Sequence, residues 1–171
     1  MAHRSPAVTG YPRKRMTRRS LRTTAIAILT AALAATAPQA QTKAEADRHL
    51  RVYKSPTCGC CANWIRYMEK NGFTATATDV ADVTPVKVQN GVPTRASSCH
   101  TTLIGGYVIE GHVPVEDIRR LLKEKPAIAG LAAPGMPAGS PGMDVPNSPP
   151  YDVMAFDKTG KMSVFATHTP K

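Results

Sequence analysis

Apolar positions recur along this chain with two different periods, and the changes of period mark out its elements. Residues 50–55, LRVYKS, are a short β-rich run, while 61–72 carries Trp64, Ile65 and Met68 on one helical face and stops at Gly72. A strand, a tight turn and a helix are predicted there. FTATATDV at 73–80 alternates as a strand does. In 83–93, Pro85 suits a first helical turn and Asn90-Gly91 an end, which predicts a short helix. Residues 101–114 hold two β runs meeting at Gly105-Gly106, the pattern of a hairpin. The strongest helical signal is at 114–126: Pro114 opens it, Glu116 and Asp117 occupy the first turn, and Val115, Ile118, Leu121 and Leu122 repeat at helical spacing. From 127 to 150 Pro and Gly are too frequent for regular structure, so a long surface loop is predicted. A hairpin over 151–157 and 162–168, turning at KTGK, closes the chain.

The predicted order β-α-β-α-β-β-α implies one four-stranded sheet with helices packed on it to bury the Val, Ile, Leu and Trp side chains. With a cysteine pair between the first strand and the first helix, this order resembles a thioredoxin-like α/β fold over residues 49–126. Residues 41–48 are expected to be a flexible start, and the C-terminal hairpin to pack on the domain.

Charge changes the picture at one end only. The formal net charge is +10, but seven of the 22 Lys and Arg residues lie before residue 41, where there is no acid. The rest holds 15 bases against 12 acids, a net of +3, so a nucleic-acid footprint has little support. The basic stretch leads into TTAIAILTAALAATA, an apolar run of small residues too short and too weakly hydrophobic for a comfortable membrane span. Residues 1–40 therefore read as a secretory signal, with the mature start near Gln41. Met16 is a candidate start codon, and TRRSLR at 17–22 fits either a twin-arginine signal or an ordinary Sec signal. The mature chain is expected to be exported, without a membrane span, and its cysteines to meet an oxidising compartment.

Three of the four cysteines stand in SPTCGCCANW at 55–64: Cys58 and Cys61 form a Cys-x-x-Cys pair, with Cys60 between them. At a helix start, free amide N–H groups and the helix dipole favour thiolate, which suits nucleophilic attack and metal ligation alike. The fourth, Cys99 in SSCHTT, precedes the third predicted strand. In a thioredoxin-like arrangement the loop entering that strand lies beside the Cys-x-x-Cys turn, so four sulfurs would converge with His100 next to them. An ordinary dithiol enzyme needs two cysteines, and the extra pair favours a metal. Clustered thiolates select Cu(I) or Zn(II). Zinc sites of four cysteines usually use two separated Cys-x-x-Cys knuckles, whereas the diverging side chains of Cys60 and Cys61 suit bridging thiolates in a small polynuclear Cu(I) cluster. Met136 and Met143, in PGMPAGSPGM, offer thioethers as auxiliary Cu(I) ligands. His112 and His168 are weaker metal candidates, His49 belongs to the flexible start, and Trp64 is expected to pack the first helix on the sheet and shield the sulfurs. Two alternatives stand beside the metal site. One is a thiol-disulfide oxidoreductase with Cys58 and Cys61 as catalytic residues. The other is a pair of structural disulfides, of which a 58–61 bond would close too short a loop to restrict the unfolded chain much.

PTCGCCANW, SSCHTTLIGGYVIEGHVP, DIRRLL and GLAAPGMPAGSPGM, in that order, resemble a family of exported bacterial proteins long catalogued as a domain of unknown function and often labelled CopG-type copper-resistance or metal-binding proteins. The resemblance covers roughly 50–168. It implies a periplasmic thioredoxin-like domain that binds copper through Cys58, Cys60, Cys61 and Cys99 and takes part in copper tolerance, a change of copper oxidation state being one form of that role; a further reading makes the chain a non-catalytic partner of copper efflux or chaperone proteins. Tyr67 stands in a region where related chains often carry a histidine, so no imidazole ligand is expected from that helix.

Overall fold

The computed structural model describes residues 48–170; the expected signal segment and most of the flexible start lie outside them. The described chain is α/β. Its elements are β1 (His49–Lys54), α1 (Gly59–Lys70), β2 (Thr74–Asp79), α2 (Thr84–Gln89), a 3-10 turn (Thr94–Ala96), β3 (His100–Ile104), β4 (Tyr107–Glu110), α3 (Val115–Glu124), β5 (Gly130–Ala132), β6 (Tyr151–Phe156) and β7 (Met162–His168). Among the described residues no helix is long and apolar enough to cross a membrane.

All seven strands join one mixed sheet in the order β2-β1-β3-β4-β5-β6-β7. The expected separate four-stranded sheet is thus corrected to a continuous seven-stranded one. The link is β5, inside the segment expected to be irregular: it runs parallel to β4 and antiparallel to β6. Three residues are too few to show a period, which is why the sequence pattern does not reveal it. Their burial does, for Gly130, Leu131 and Ala132 are all buried.

Adjacent strand residues divide between two cores, as a period of two requires. Ile104, Ile109, Leu131 and Ala155 join the larger core with Leu50, Val52, Trp64, Met68, Ile118 and Leu121. Leu103, Val108, Ala132 and Phe156 face the other side, with Ala96 and Val92. Helix α1 buries Cys61, Trp64, Ile65 and Met68 and α3 buries Val115, Ile118 and Leu121, while α2 buries none of its residues. The β3–β4 turn has both Gly105 and Gly106 at positive φ (56° and 85°), the backbone that two-residue hairpins need. The turn between β6 and β7 is organised by Asp157, whose Oδ1 accepts the Thr159 and Lys161 amides at 2.8 and 3.0 Å. Helix α3 carries the terminal hairpin through side chains: His168 Nε2 lies 2.6 Å from Asp117 Oδ2, and the Arg120 guanidinium sits 3.7 Å from the centre of the Phe165 ring.

Gly130 leaves no room for a Cβ, which would overlap the Val108 carbonyl and crowd the Phe156 ring, whereas a Cβ on Gly59 would meet nothing within 4 Å. Gly130→Ala is expected to lower the free energy of unfolding by about 1–3 kcal/mol, and Gly59→Ala to leave it unchanged or slightly raised. Urea denaturation of the two variants beside the parent checks the contrast.

Candidate metal centre

Cys58 is the N-cap of α1, its extended backbone (φ −75°, ψ 92°) turning the chain from the 55–57 bend into the helix, with its carbonyl accepting the Ala62 amide at 3.2 Å. Three residues along a helix bring side chains to one face. Cys58 and Cys61 accordingly meet there and are joined by a disulfide, their Cα atoms 5.3 Å apart. Cys60 is a free, half-buried thiol with its Sγ 3.5 Å from that of Cys58. Cys99, also free, arrives on the segment leading into β3. One sulfur from each of Cys58, Cys60, Cys61 and Cys99 lies within 4.8 Å of every other. The alternative of two structural disulfides is not what the fold holds, since Cys60 and Cys99 remain unpaired.

A second group overlaps the first. Cys99, His100 and His112 place ligand atoms within the same mutual distance, with Cys99 Sγ 3.3 Å from His100 Nδ1 and 3.0 Å from His112 Nε2. The outer nitrogen of His112 settles its tautomer. Nδ1 lies 2.7 Å from the Pro141 carbonyl, which can only accept, so Nδ1 carries the proton and Nε2 turns its lone pair to the sulfur. His100 is fully buried, and its Nε2 has no hydrogen-bond partner among the described residues.

Burial sets the protonation of this group. It pushes the Cys99 thiol up to about 12, helped by the neighbouring Cys60 sulfur. Burial also holds the His100 imidazole well below its usual value, with His112 and Lys87 adding to the effect, and lowers His112 against the opposing pull of its Pro141 hydrogen bond. Around neutral pH this corner therefore holds a protonated thiol and two neutral imidazoles.

Trp64 and the Pro/Gly-rich segment wall the site on the α1 side. Trp64 is fully buried, donates Nε1–H to the Val113 carbonyl at 3.0 Å and lays its ring 4.7 Å from that of His100. The Pro/Gly-rich segment closes over α1: a Cβ on Gly142 would come within 2.8 Å of the Trp64 nitrogen and 2.9 Å of the Cys60 carbonyl oxygen, a close approach only glycine permits. Met143 follows in a turn, its amide donating to the Ser140 carbonyl at 2.8 Å. Met136 is 54% exposed. His168 is committed to Asp117 and stacks on Tyr151, with ring centroids 5.4 Å apart; His49, expected in the flexible start, instead opens β1 and lies between the Thr74 and Thr76 hydroxyls. Tyr67 accepts the Val115 amide at 3.2 Å and braces the start of α3.

The sequence singles out the four cysteines and His100, and the fold brings these together. It adds His112, ranked low because a histidine at a strand end carries no ligand signature by itself. The available signal was Glu110-Gly111-His112, a charged residue and a glycine leading into an imidazole. The partner of His112 is a backbone carbonyl, which no side-chain motif encodes.

A family model described as "Protein of unknown function, DUF411" matches residues 96–143, the span that holds Cys99, His100, His112 and the closing loop. No curated protein matches the chain. Two solved structures, copper resistance protein CopG in its form 1 and form 2, superpose with a TM-score of 0.67 at 42% sequence identity. The alignments cover 72% and 71% of this chain and 98% of each of those chains. Identity at this level over nearly the whole length of those proteins shows that the chain belongs to the family of copper resistance protein CopG.

Proposed function

We propose that this is a periplasmic copper-binding protein that holds Cu(I) on its sulfur cluster in copper tolerance, buffering the ion, passing it to a chaperone or efflux protein, or changing its oxidation state. The observation that carries the reading is the convergence of four sulfurs, from two segments distant in sequence, within 4.8 Å. The donor set fits copper. Thiolates and neutral imidazoles are soft and intermediate ligands, and neither metal-ligand group includes a carboxylate of the kind that Mg or Ca prefers. His100 Nδ1, 3.3 Å from the Cys99 sulfur, and His112 Nε2, 3.0 Å from it, put two neutral imidazoles on the same thiol. The solved relatives are titled copper resistance proteins.

In this reading Cys58, Cys60, Cys61 and Cys99 are the primary ligands, His112 and His100 complete the set, and Met136 and Met143 are thioether auxiliaries. Sulfurs that bridge neighbouring ions give a polynuclear site. The thioredoxin-like domain spans 49–126, extended by β5 and the terminal hairpin, and residues 1–40 direct export. The disulfide must open before Cys58 and Cys61 can ligate, and two electrons and two protons from an external dithiol convert it to two thiols. That same disulfide at a helix N-terminus favours a second reading, thiol-disulfide exchange, which rapid insulin reduction by the metal-free protein would support.

Reduced protein titrated with Cu(I) under nitrogen should retain copper in native mass spectrometry, and the double variant Cys60→Ser, Cys99→Ser should lose most of it. Equal retention by the variant would rule out the four-sulfur site. Acid should weaken binding. Each thiol that ligates gives up a proton, and Cys99 keeps its proton up to about 12, so lowering pH opposes coordination throughout the accessible range. Its imidazole neighbours are shifted downward, which assigns the dependence between pH 8 and 6 to the thiols. Affinity is expected to fall about tenfold per pH unit for each proton released, as read by competition with a Cu(I) chelator of known pH dependence.

A further inference from the structure

Behind the sulfur cluster lies a pair of charges that the ligand set does not use. Glu110, at the end of β4, is fully buried, and its carboxylate accepts the Ser98 amide at 2.6 Å, the Thr101 hydroxyl at 2.8 Å and the Lys87 ammonium. Lys87 also donates to the Thr101 hydroxyl at 3.2 Å. Ser98 and Thr101 flank Cys99 and His100, so a single carboxylate grips both ends of the segment that carries these two residues. Past the end of β4 the chain bends through Gly111 to His112. The Gly111 amide donates to the His100 carbonyl at 2.9 Å, and Gly111, at φ +71°, has no Cβ where the Ser98 side chain sits.

A buried ion pair is seldom retained for stability, because desolvation offsets much of its attraction. Helix α2 sharpens the point: it buries none of its residues, yet the Lys87 side chain is only 12% exposed. What the pair does hold is a distance. Through its side chain Glu110 fixes Cys99, and through its backbone it leads to His112, whose Nε2 is 3.0 Å from the Cys99 sulfur.

We propose that Glu110, neutralised by Lys87, is the positioning residue of the metal centre, holding Cys99 and His112 as one preformed two-ligand arm. This rests on the copper-binding reading, but its first test does not need copper. In metal-free reduced protein, an NMR contact between the Cys99 β-protons and the His112 ring should be present in the parent, retained in Glu110→Gln, which keeps an acceptor oxygen for the Ser98 amide and turns an amide donor to the Thr101 hydroxyl oxygen, and lost in Glu110→Ala. Its persistence in all three overturns the proposal.

Copper supplies the second test. Glu110→Ala should weaken Cu(I) binding by about 10- to 100-fold in chelator competition, with Glu110→Gln restoring most of the loss. In a Cys99→Ser background Glu110→Ala should cause no further loss, since the arm it holds is already broken. Leu121→Ala, a core truncation remote in sequence from the arm, should keep parental affinity although it destabilises the fold. A Glu110→Ala effect undiminished in the Cys99→Ser background, or an equal loss in Leu121→Ala, would show general destabilisation and overturn the proposal. Thr101→Val removes only one bond to the carboxylate and serves if the alanine variant does not fold, with an expected loss of about threefold. A parent that holds no copper would sink the copper reading, while the NMR contact would still decide the role of Glu110.

Discussion

Cys99 reaches the first turn of α1 because β3 is hydrogen-bonded antiparallel to β1 in one register, with Lys54 opposite His100 and Tyr53 opposite Thr101. The last residue of β1 is thereby set beside the first residue of β3. The chain leaving β1 must turn through 55–57 into the cysteine-bearing helix, and the chain arriving at β3 must deliver residue 99 to the same place. A slip of one residue would send Cys99, His100 and Thr101 to opposite faces. The register is guarded by burial, since Leu50 and Val52 on β1 and Ile104 on β3 all enter the larger core. The chemistry of the site is in this sense a by-product of hydrophobic alternation.

The polar interior of this corner is unusual for a chain of ordinary composition. His100, Thr101, Thr102, Glu110 and His112 are all buried within a short stretch of hairpin, where apolar residues would bind the sheet together at less desolvation cost. Most of the cost is recovered in hydrogen bonds to Glu110, Lys87 and Pro141. Among the described residues, what is not recovered is concentrated on His100 Nε2 and Thr102 Oγ1. Of these, the imidazole belongs to the residue whose other ring nitrogen lies 3.3 Å from the Cys99 sulfur.

Much of this arrangement was legible in the amino-acid sequence, for physical reasons that differ by element. Helix α3 is readable because Pro114, the acids of its first turn and the Ile118 and Leu121 face agree with one another, and the β3–β4 turn because two consecutive glycines accept a backbone other residues resist. Strand β5 was hidden, since Gly130 to Ala132 form no period and are strand only by virtue of neighbours on both sides. Cys58, Cys60 and Cys61 announce a site through spacing alone. The place of Cys99 follows from sheet topology, and that of His112 from a backbone carbonyl 29 residues further along, information that no local pattern carries.

Strand β5 also separates what can change from what cannot. Among the described residues it is the one rung by which the terminal hairpin continues the backbone ladder of the earlier strands, and the long connection to β6 leaves from its far end. Residues could be added to or taken from the part of that connection beyond Met143 without breaking a single inter-strand bond. The stretch through Pro141 and Gly142, which touches His112 and the first turn of α1, has no such freedom. Insertions are therefore tolerable beyond Met143 and costly at Pro141 and Gly142, a boundary set by one carbonyl that His112 needs and one side chain that the first turn of α1 leaves no room for.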